Sequence, residues 1–301
     1  RATQVAAMAS GRVMLKMQWP AFYPSEIKLI QEQARGKVTI VPSYQNSPQW
    51  LTMQTGFPPM DNPKVRRAIL LAIDRWDLAE RVFEGTGEVG TQLDTRLYGD
   101  WALPKEEVYK LPGYRKDKTA DIAEAKKLLA EAGYPSGFEL IWQVRNTAEY
   151  IPSAMVIAAQ LEKIGIKSKI ESLDPSAGIQ ILRQGKWHLN AQGGWTGYHA
   201  LKGLEPFSQS DGIWGLNGKW IDSNKQFVDM YNKAVTSLDE VEAKKLVWDI
   251  QRYLLTVDVA HLPLVWIDSP VVVWNQVKSY YPSVYGMNQG GLDHTIVWLD
   301  Q

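Results

Sequence analysis

Four histidines (His188, His199, His261 and His294) and scattered carboxylates are the residues of this 301-residue chain whose types could support catalysis or metal binding. No two histidines fall at a spacing that pairs ligands on one helix, so isolated surface or capping roles are expected and no metal site is predicted. The chain has no cysteine, which removes disulfides, thiolate metal sites and thiol nucleophiles. There is no Gly-x-Ser-x-Gly turn, phosphate-binding loop or dinucleotide fingerprint. The nearest approach, Gly85-Thr-Gly87, follows a helical stretch and opens no other, so it reads as a helix end and loop. Tryptophan is over-represented, with 13 Trp against 6 Phe. Trp beside carboxylates such as Glu205 and Asp211 is compatible with a carbohydrate-active enzyme, whose two acids flank a sugar held on aromatic faces.

The elements that must position these residues alternate between helix and strand. Residues 1–11 read as an Ala-rich helix stopped by Gly11, and 38–42 as a short buried strand. Asp61 or Asn62 can cap a helix that carries Pro63 in its first turn and an apolar stripe of Val65, Ala68, Ile69, Ala72 and Ile73. Asp74 and Asp77 have the spacing of a cap and its partner for a second helix, ending before Gly85. After an irregular stretch to Thr119, Asp121 and Glu124 suggest a capping box for a helix closed by Gly133. Strand 138–144, a helix from about Pro152 to Ile164 and strand 166–171 predict a parallel crossover. A helix from Asp174-Pro175 to Gly185 and a strand at 187–192 follow. The Gly-rich stretch 193–220, with Trp195, Trp214 and Trp220, shows neither period, and so long a stretch is expected to be functional. Helices beginning near Asp222 and Asp239 and apolar strands at 261–267 and 270–274 complete the chain. Trp76, Trp248 and Trp266 fall in regular patterns and read as core, whereas Trp214 and Trp220 read equally as ligand wall or loop packing.

The 33 basic and 33 acidic side chains cancel, so charge provides no case for binding nucleic acid or an anionic membrane. No run approaches the roughly 20 apolar residues of a membrane helix. At about 150 residues per domain, the length suggests two lobes. The start, Arg1 to Ser10, lacks an initiator Met and a signal-peptide core and reads as mid-helix, so the chain is expected to be a piece of a longer protein.

Several segments together resemble one family. Asn62-Pro-Lys-Val-Arg-Arg-Ala-Ile-Leu-Leu-Ala-Ile-Asp-Arg75 resembles the VRxAIxxAIDR block of the extracytoplasmic solute-binding proteins of ABC importers, family 5. Trp50 to Thr55 with Pro58-Pro59 is similar to the approach to that block, Asp121 to Tyr134 to its AxxLLxEAGY helix, and Gln160 to Ile166 to its QLxxIGI turn. Trp195-Thr-Gly197 matches the first three positions of the W-T-G-D ligand loop, and Asp239 to Pro263 resembles the closing helix with its iPL strand. The blocks keep the family's order over nearly the whole chain.

The resemblance implies an α/β fold of two lobes, of the periplasmic-binding-protein type II. Residues 1–50 would be part of lobe one, 51–255 lobe two, and 256–301 the return to lobe one, with the N-terminal part of lobe one absent. It also implies a solute-binding receptor without enzymatic activity or cofactor, periplasmic or otherwise extracytoplasmic, with a lipid anchor one option for the missing N-terminus. Its partners would be a small peptide-like ligand and a membrane permease, with no nucleic acid, and the receptor would be a monomer. Oligosaccharide and nickel-chelate carriers of the same family are alternatives. In relatives that bind dipeptides the residue after W-T-G is an Asp that meets the ligand ammonium; here it is Tyr198, which cannot supply a charge-assisted bond. Glu205, Asp211 or a residue of the absent segment could replace it, or the ligand has no amine. Arg145 falls within about one residue of the carboxylate-binding Arg of those relatives, although an exposed loop Arg is an equal reading. Asn146 and Tyr150 share its loop. With Trp195, Thr196, Gly197, Tyr198 and Trp214 they complete the candidate ligand site, and Trp195 is the first choice within it.

Overall fold

The computed structural model describes residues 1–16, 22–147, 150–193, 197, 199–207, 218–280 and 297–300. The chain opens with helices α1 (Ala2–Ala9) and α2 (Pro24–Ala34) and strands β1 (Val38–Val41) and β2 (Tyr44–Met53). Helices α3 (Pro63–Ala72), α4 (Arg75–Phe83), α5 (Thr95–Tyr98), α6 (Lys105–Val108) and α7 (Thr119–Glu131) lead to β3 (Phe138–Arg145). Next come α8 (Tyr150–Glu162), β4 (Ile166–Leu173), α9 (Pro175–Gln184), β5 (Leu189–Gly193) and α10 (Ala200–Leu204). Helices α11 (Gly218–Ser223), α12 (Lys225–Thr236) and α13 (Glu240–Thr256) precede strands β6 (His261–Asp268), β7 (Val271–Trp274), β8 (Val277–Lys278) and β9 (Trp298–Leu299).

An antiparallel sheet in the order β5-β2-β6 lies at the centre. Alternation along β2 sends Leu51 and Met53 to one side, where they join the largest core with α3, α4, α8 and the β3-β4 pair. Trp50 faces the other side and packs in a cluster with Ala200, Leu204, Phe207, Trp220 and Ile221 and with residues of α12 and α13. A separate small core holds Val5, Met8, Ile30, Val38 and Val272 from α1, α2 and the antiparallel β1-β7 pair. Two short links join this unit to the rest: Pro42-Ser43 between β1 and β2, and Ser269-Pro270 between β6 and β7. They lie side by side, with Ser269 N donating to Ser43 O at 2.9 Å. No described helix is long and apolar enough to cross a membrane.

Local signals are realised where a cap and its helix are adjacent. Asn62 accepts from Lys64 N, and Asp174 and Asp239 each accept from two amides of the helices they open. Asp74 caps α4, but Asp77 does not reciprocate; its carboxylate takes Gln160 Nε2 and Arg81 instead. Helix α7 starts at Thr119, so Asp121 is not its cap. Its buried carboxylate is drawn to Gly113 N, Lys118 Nζ and Arg115 Nη2 at 2.9, 2.9 and 2.5 Å, a tertiary use that outcompetes the capping box. Asp222 lies inside α11, and Asn224 caps α12. The stretches read as irregular contain α5, α6, α10 and α11, helices too short for periodicity to reveal. In β1 only Val38 is fully buried. Trp266 is core, but Trp76 and Trp248 are half-buried because their indole N–H groups reach out to Tyr114 O and Asp100 O.

Candidate functional site

Strands β3 and β4 are parallel over their full length, from Phe138 opposite Ile166 to Arg145 opposite Leu173. Leu140, Trp142 and Val144 are buried on alternate positions, so the strand is fixed in phase and its last residue, Arg145, stands at the carboxyl end of the pair. Ligands of open α/β sheets bind outside such ends. The Arg145 side chain runs across α9, where a Cβ at Gly178 would lie 2.4 Å from its Cγ. Its guanidinium Cζ is 5.0 Å from the centroid of the Tyr150 ring, within cation–π range. Asn146 is exposed, and its backbone N–H is held by Leu173 O at 2.7 Å.

Tyr150, the first residue of α8, accepts a 2.5 Å hydrogen bond on its hydroxyl from Gly193 N, at the end of β5. Gly193 pairs with Gln49 of β2, whose side-chain oxygen accepts from Ser153 Oγ of α8 at 2.9 Å. Across the W-T-G segment, Gly197 O accepts from the Tyr98 hydroxyl at 2.7 Å. His199 then caps α10 through Nδ1 and packs its ring 4.6 Å from Trp101. Of the predicted site residues, Arg145, Tyr150 and the junction with β5 are thus brought together, Gly197 borders the same segment, and Asn146 lies at the open edge. Trp195, Thr196, Tyr198, Trp214 and Asp211 lie outside the described residues. Glu205 is ion-paired with Lys202. Sequence reasoning missed Tyr98, Gly178 and Gly193; Tyr98 lies 99 positions before the residue it bonds, and no local pattern marks it.

Trp220 is packed in the interior, 2% exposed, its indole N–H donating to Asp258 Oδ2 at 3.0 Å. Its ring meets Phe227 and, at 4.9 Å, His261. His261 is neither a surface nor a capping residue. It lies opposite Thr52 across β2 and β6 and is covered by Phe207 and Trp220. Burial, helped by the nearby Arg66 cation, pulls its pKa from 6.5 down to about 3, so the ring is neutral. Among the described residues neither ring nitrogen has a hydrogen-bond partner. Among the described residues no group of three or more His, Cys, Asp or Glu could hold a metal.

A family model described as "Bacterial extracellular solute-binding proteins, family 5 Middle" matches residues 1–213. The chain is 25% identical over 292 residues to the glutathione-binding protein GsiB of Shigella flexneri, covering 94% of this chain and 52% of that protein. It is 25% identical over 249 residues to di/tripeptide-binding protein 3 of Pseudomonas aeruginosa, covering 80% of this chain and 44% of that protein. The chain therefore spans about half the length of the curated relatives it matches. Among solved structures, the periplasmic binding protein DppA of Helicobacter pylori in complex with the peptide STSA superposes with a TM-score of 0.79 at 24% identity, over 100% of this chain and 55% of DppA. The fold is thus the α/β fold of periplasmic peptide-binding proteins, and these relatives are named as binding proteins. With the match over residues 1–213 and blocks in the family's order, the chain belongs to the bacterial extracellular solute-binding proteins, family 5.

Proposed function

We propose that this chain is part of an ABC-importer receptor that captures a peptide-like or other small polar ligand between two lobes and delivers it to a membrane permease. The observation that carries this reading is the convergence of Arg145, at the carboxyl end of a parallel strand pair, with Tyr150 and the base of the W-T-G segment. A planar guanidinium there suits a carboxylate through two parallel bonds. Relatives named for binding glutathione and di/tripeptides support the ligand class. Tyr198 in place of the family's Asp points to a ligand whose amine, if it has one, is met elsewhere.

Trp195 is the principal apolar platform. An indole burying about 150–250 Å² contributes roughly 4–6 kcal/mol gross, against a total of about −8 kcal/mol for a micromolar complex. One or two such surfaces supply much of the affinity after ordering costs. Thr196, Gly197, Asn146 and Trp214 are the further candidate ligand contacts.

Function is binding without chemistry: the ligand favours the closed form because it touches both lobes. Of the division 1–50, 51–255 and 256–301, the separate α1–α2–β1–β7 core supports a lobe-one part built from both chain ends, but with the paired links Pro42-Ser43 and Ser269-Pro270 as the hinge, β2 and β6 belong with lobe two. The receptor works outside the cytoplasm as a monomer, tethered by a lipid anchor or free. Titration with glutathione, di- and tripeptides, oligosaccharides and nickel chelates tests the reading. Saturable binding of a carboxylate-bearing peptide supports it, and binding of sugars or chelates alone redirects it within the family. Release of product from an oligosaccharide would replace it with an enzyme.

A further inference from the structure

Helix α9 carries a glycine that its backbone does not require. Gly178 has ordinary helical geometry: its N–H donates to Asp174 O at 2.9 Å, and its φ is not positive. Glycine at such a position destabilises a helix relative to alanine. Gly178 is also the one buried residue of α9. What fills the space of a side chain there is Arg145. Among the described residues, the three atoms nearest an ideal Cβ at 178 all belong to that side chain, with Cγ at 2.4 Å, Cδ at 3.2 Å and Cβ at 3.7 Å. Both backbones are pinned. Strand β3 pairs with β4 along its whole length, and Asn146 N, just beyond it, donates to Leu173 O at 2.7 Å. Helix α9 is anchored by Asp174, which accepts from Ser176 N and Ala177 N, with Pro175 in the first turn. A methyl at 178 must therefore turn the Arg145 stem. The clash falls on Cγ, close to the backbone, so relief takes χ1 to another staggered well about 120° away. Cζ, three bonds further out, then leaves the Tyr150 ring whose centroid it now faces at 5.0 Å.

We infer that Gly178 is a specificity-determining positioning residue: the missing side chain lets the Arg145 stem lie across α9 and sets its guanidinium at the carboxyl end of β3 and β4, where it selects ligands that carry a carboxylate. The ligand class rests on the proposed receptor reading, whereas the placement of Arg145 rests on sterics alone. Two parallel bonds from a guanidinium to a carboxylate require the fork's plane and position together, so a turned stem loses both.

Gly178→Ala in the whole chain is the test, read first without ligand by its crystal structure. Arg145 Cζ should move off the Tyr150 ring; a guanidinium that stays in place overturns the inference. Urea unfolding separates this role from simple packing of α9 on β3. In an Arg145→Ala background, which has no Cγ, alanine at 178 should raise the unfolding midpoint, as alanine inside a helix does. A midpoint lowered equally in both backgrounds overturns the inference. Calorimetric titration with trialanine and with its C-terminal amide then reads the ligand. Gly178→Ala should weaken the free carboxylate roughly tenfold or more and the amide by less than about twofold, as suits the loss of a charge-assisted pair. Equal weakening of both, or weakening of neither, overturns the specificity role. If the parent binds neither peptide, the receptor reading fails for these ligands, while the position of Arg145 in the variant still decides the steric claim.

Discussion

His261 should make this protein lose stability between pH 7.5 and pH 5. The ring is 1% exposed, faces Thr52, Phe207 and Trp220, and has no hydrogen-bond partner for either nitrogen among the described residues. Arg66 adds a repelling positive charge, and Asp258 is engaged by Arg66, Trp220 and Asn224. Protonation in the folded state is therefore postponed to about pH 3, whereas the unfolded chain takes the proton near the ordinary value of 6.5. A depressed histidine pKa means the unfolded state binds more protons below pH 6.5, so its contribution is complete above that pH and declines as pH falls toward 3. Integrating between the two pKa values gives a loss of about 2 kcal/mol at pH 5 relative to pH 7.5 from this one ring. Carboxylates, with ordinary values near 4, contribute little in that window. Urea unfolding across pH 5 to 7.5 should show this decline in the parent, and His261→Leu, which keeps the packing and removes the titration, should flatten most of it. Equal slopes for parent and variant would refute the reasoning.

Three further substitutions probe the fold and the site. Arg75, in the family motif, is buried; it donates to Pro263 O and Gly113 O at 2.9 Å each and lies 4.1 Å over the Tyr114 ring, so Arg75→Met should cost about 2–4 kcal/mol by removing two buried charge-assisted hydrogen bonds, with Gly113 O keeping only its bond from Lys118 Nζ, read by urea unfolding. Gly137 has φ +76° and a Cβ there would fall 1.9 Å from Gly165 O, so Gly137→Ala should destabilise the β3-β4 pair by about 2 kcal/mol or more in the same assay. Arg145→Gln should weaken a peptide with a free C-terminal carboxylate by roughly 10- to 100-fold while barely affecting its amide, measured by calorimetry.

What was legible in the sequence divides by the range of the interactions. Caps at Asn62, Asp74, Asp174 and Asp239 involve neighbours two or three residues away, so spacing alone finds them. The parallel β3-α8-β4 unit was readable because alternation and glycine stops are local as well. Asp121 misled because a carboxylate with capping spacing can be claimed by Gly113, Arg115 and Lys118 once the chain folds back. Trp220 and His261 were ambiguous for the same reason: residues separated by 41 positions form one aromatic contact, and nothing in the sequence around either announces the other. In the site, Arg145 was reachable only through the family resemblance, which marks the position after strand 138–144, and the Tyr98 and Tyr150 hydroxyl bonds depend on chain segments that meet only in three dimensions.

The most direct test of the receptor reading is a thermal-stability titration of the complete gene product with glutathione and a panel of di- and tripeptides. A ligand at 100 times its Kd should stabilise the protein by about 2.7 kcal/mol, and Trp195→Ala should abolish most of that gain. The absence of any shift across the panel, or an undiminished shift in the Trp195 variant, would contradict capture of a peptide-like solute at this site.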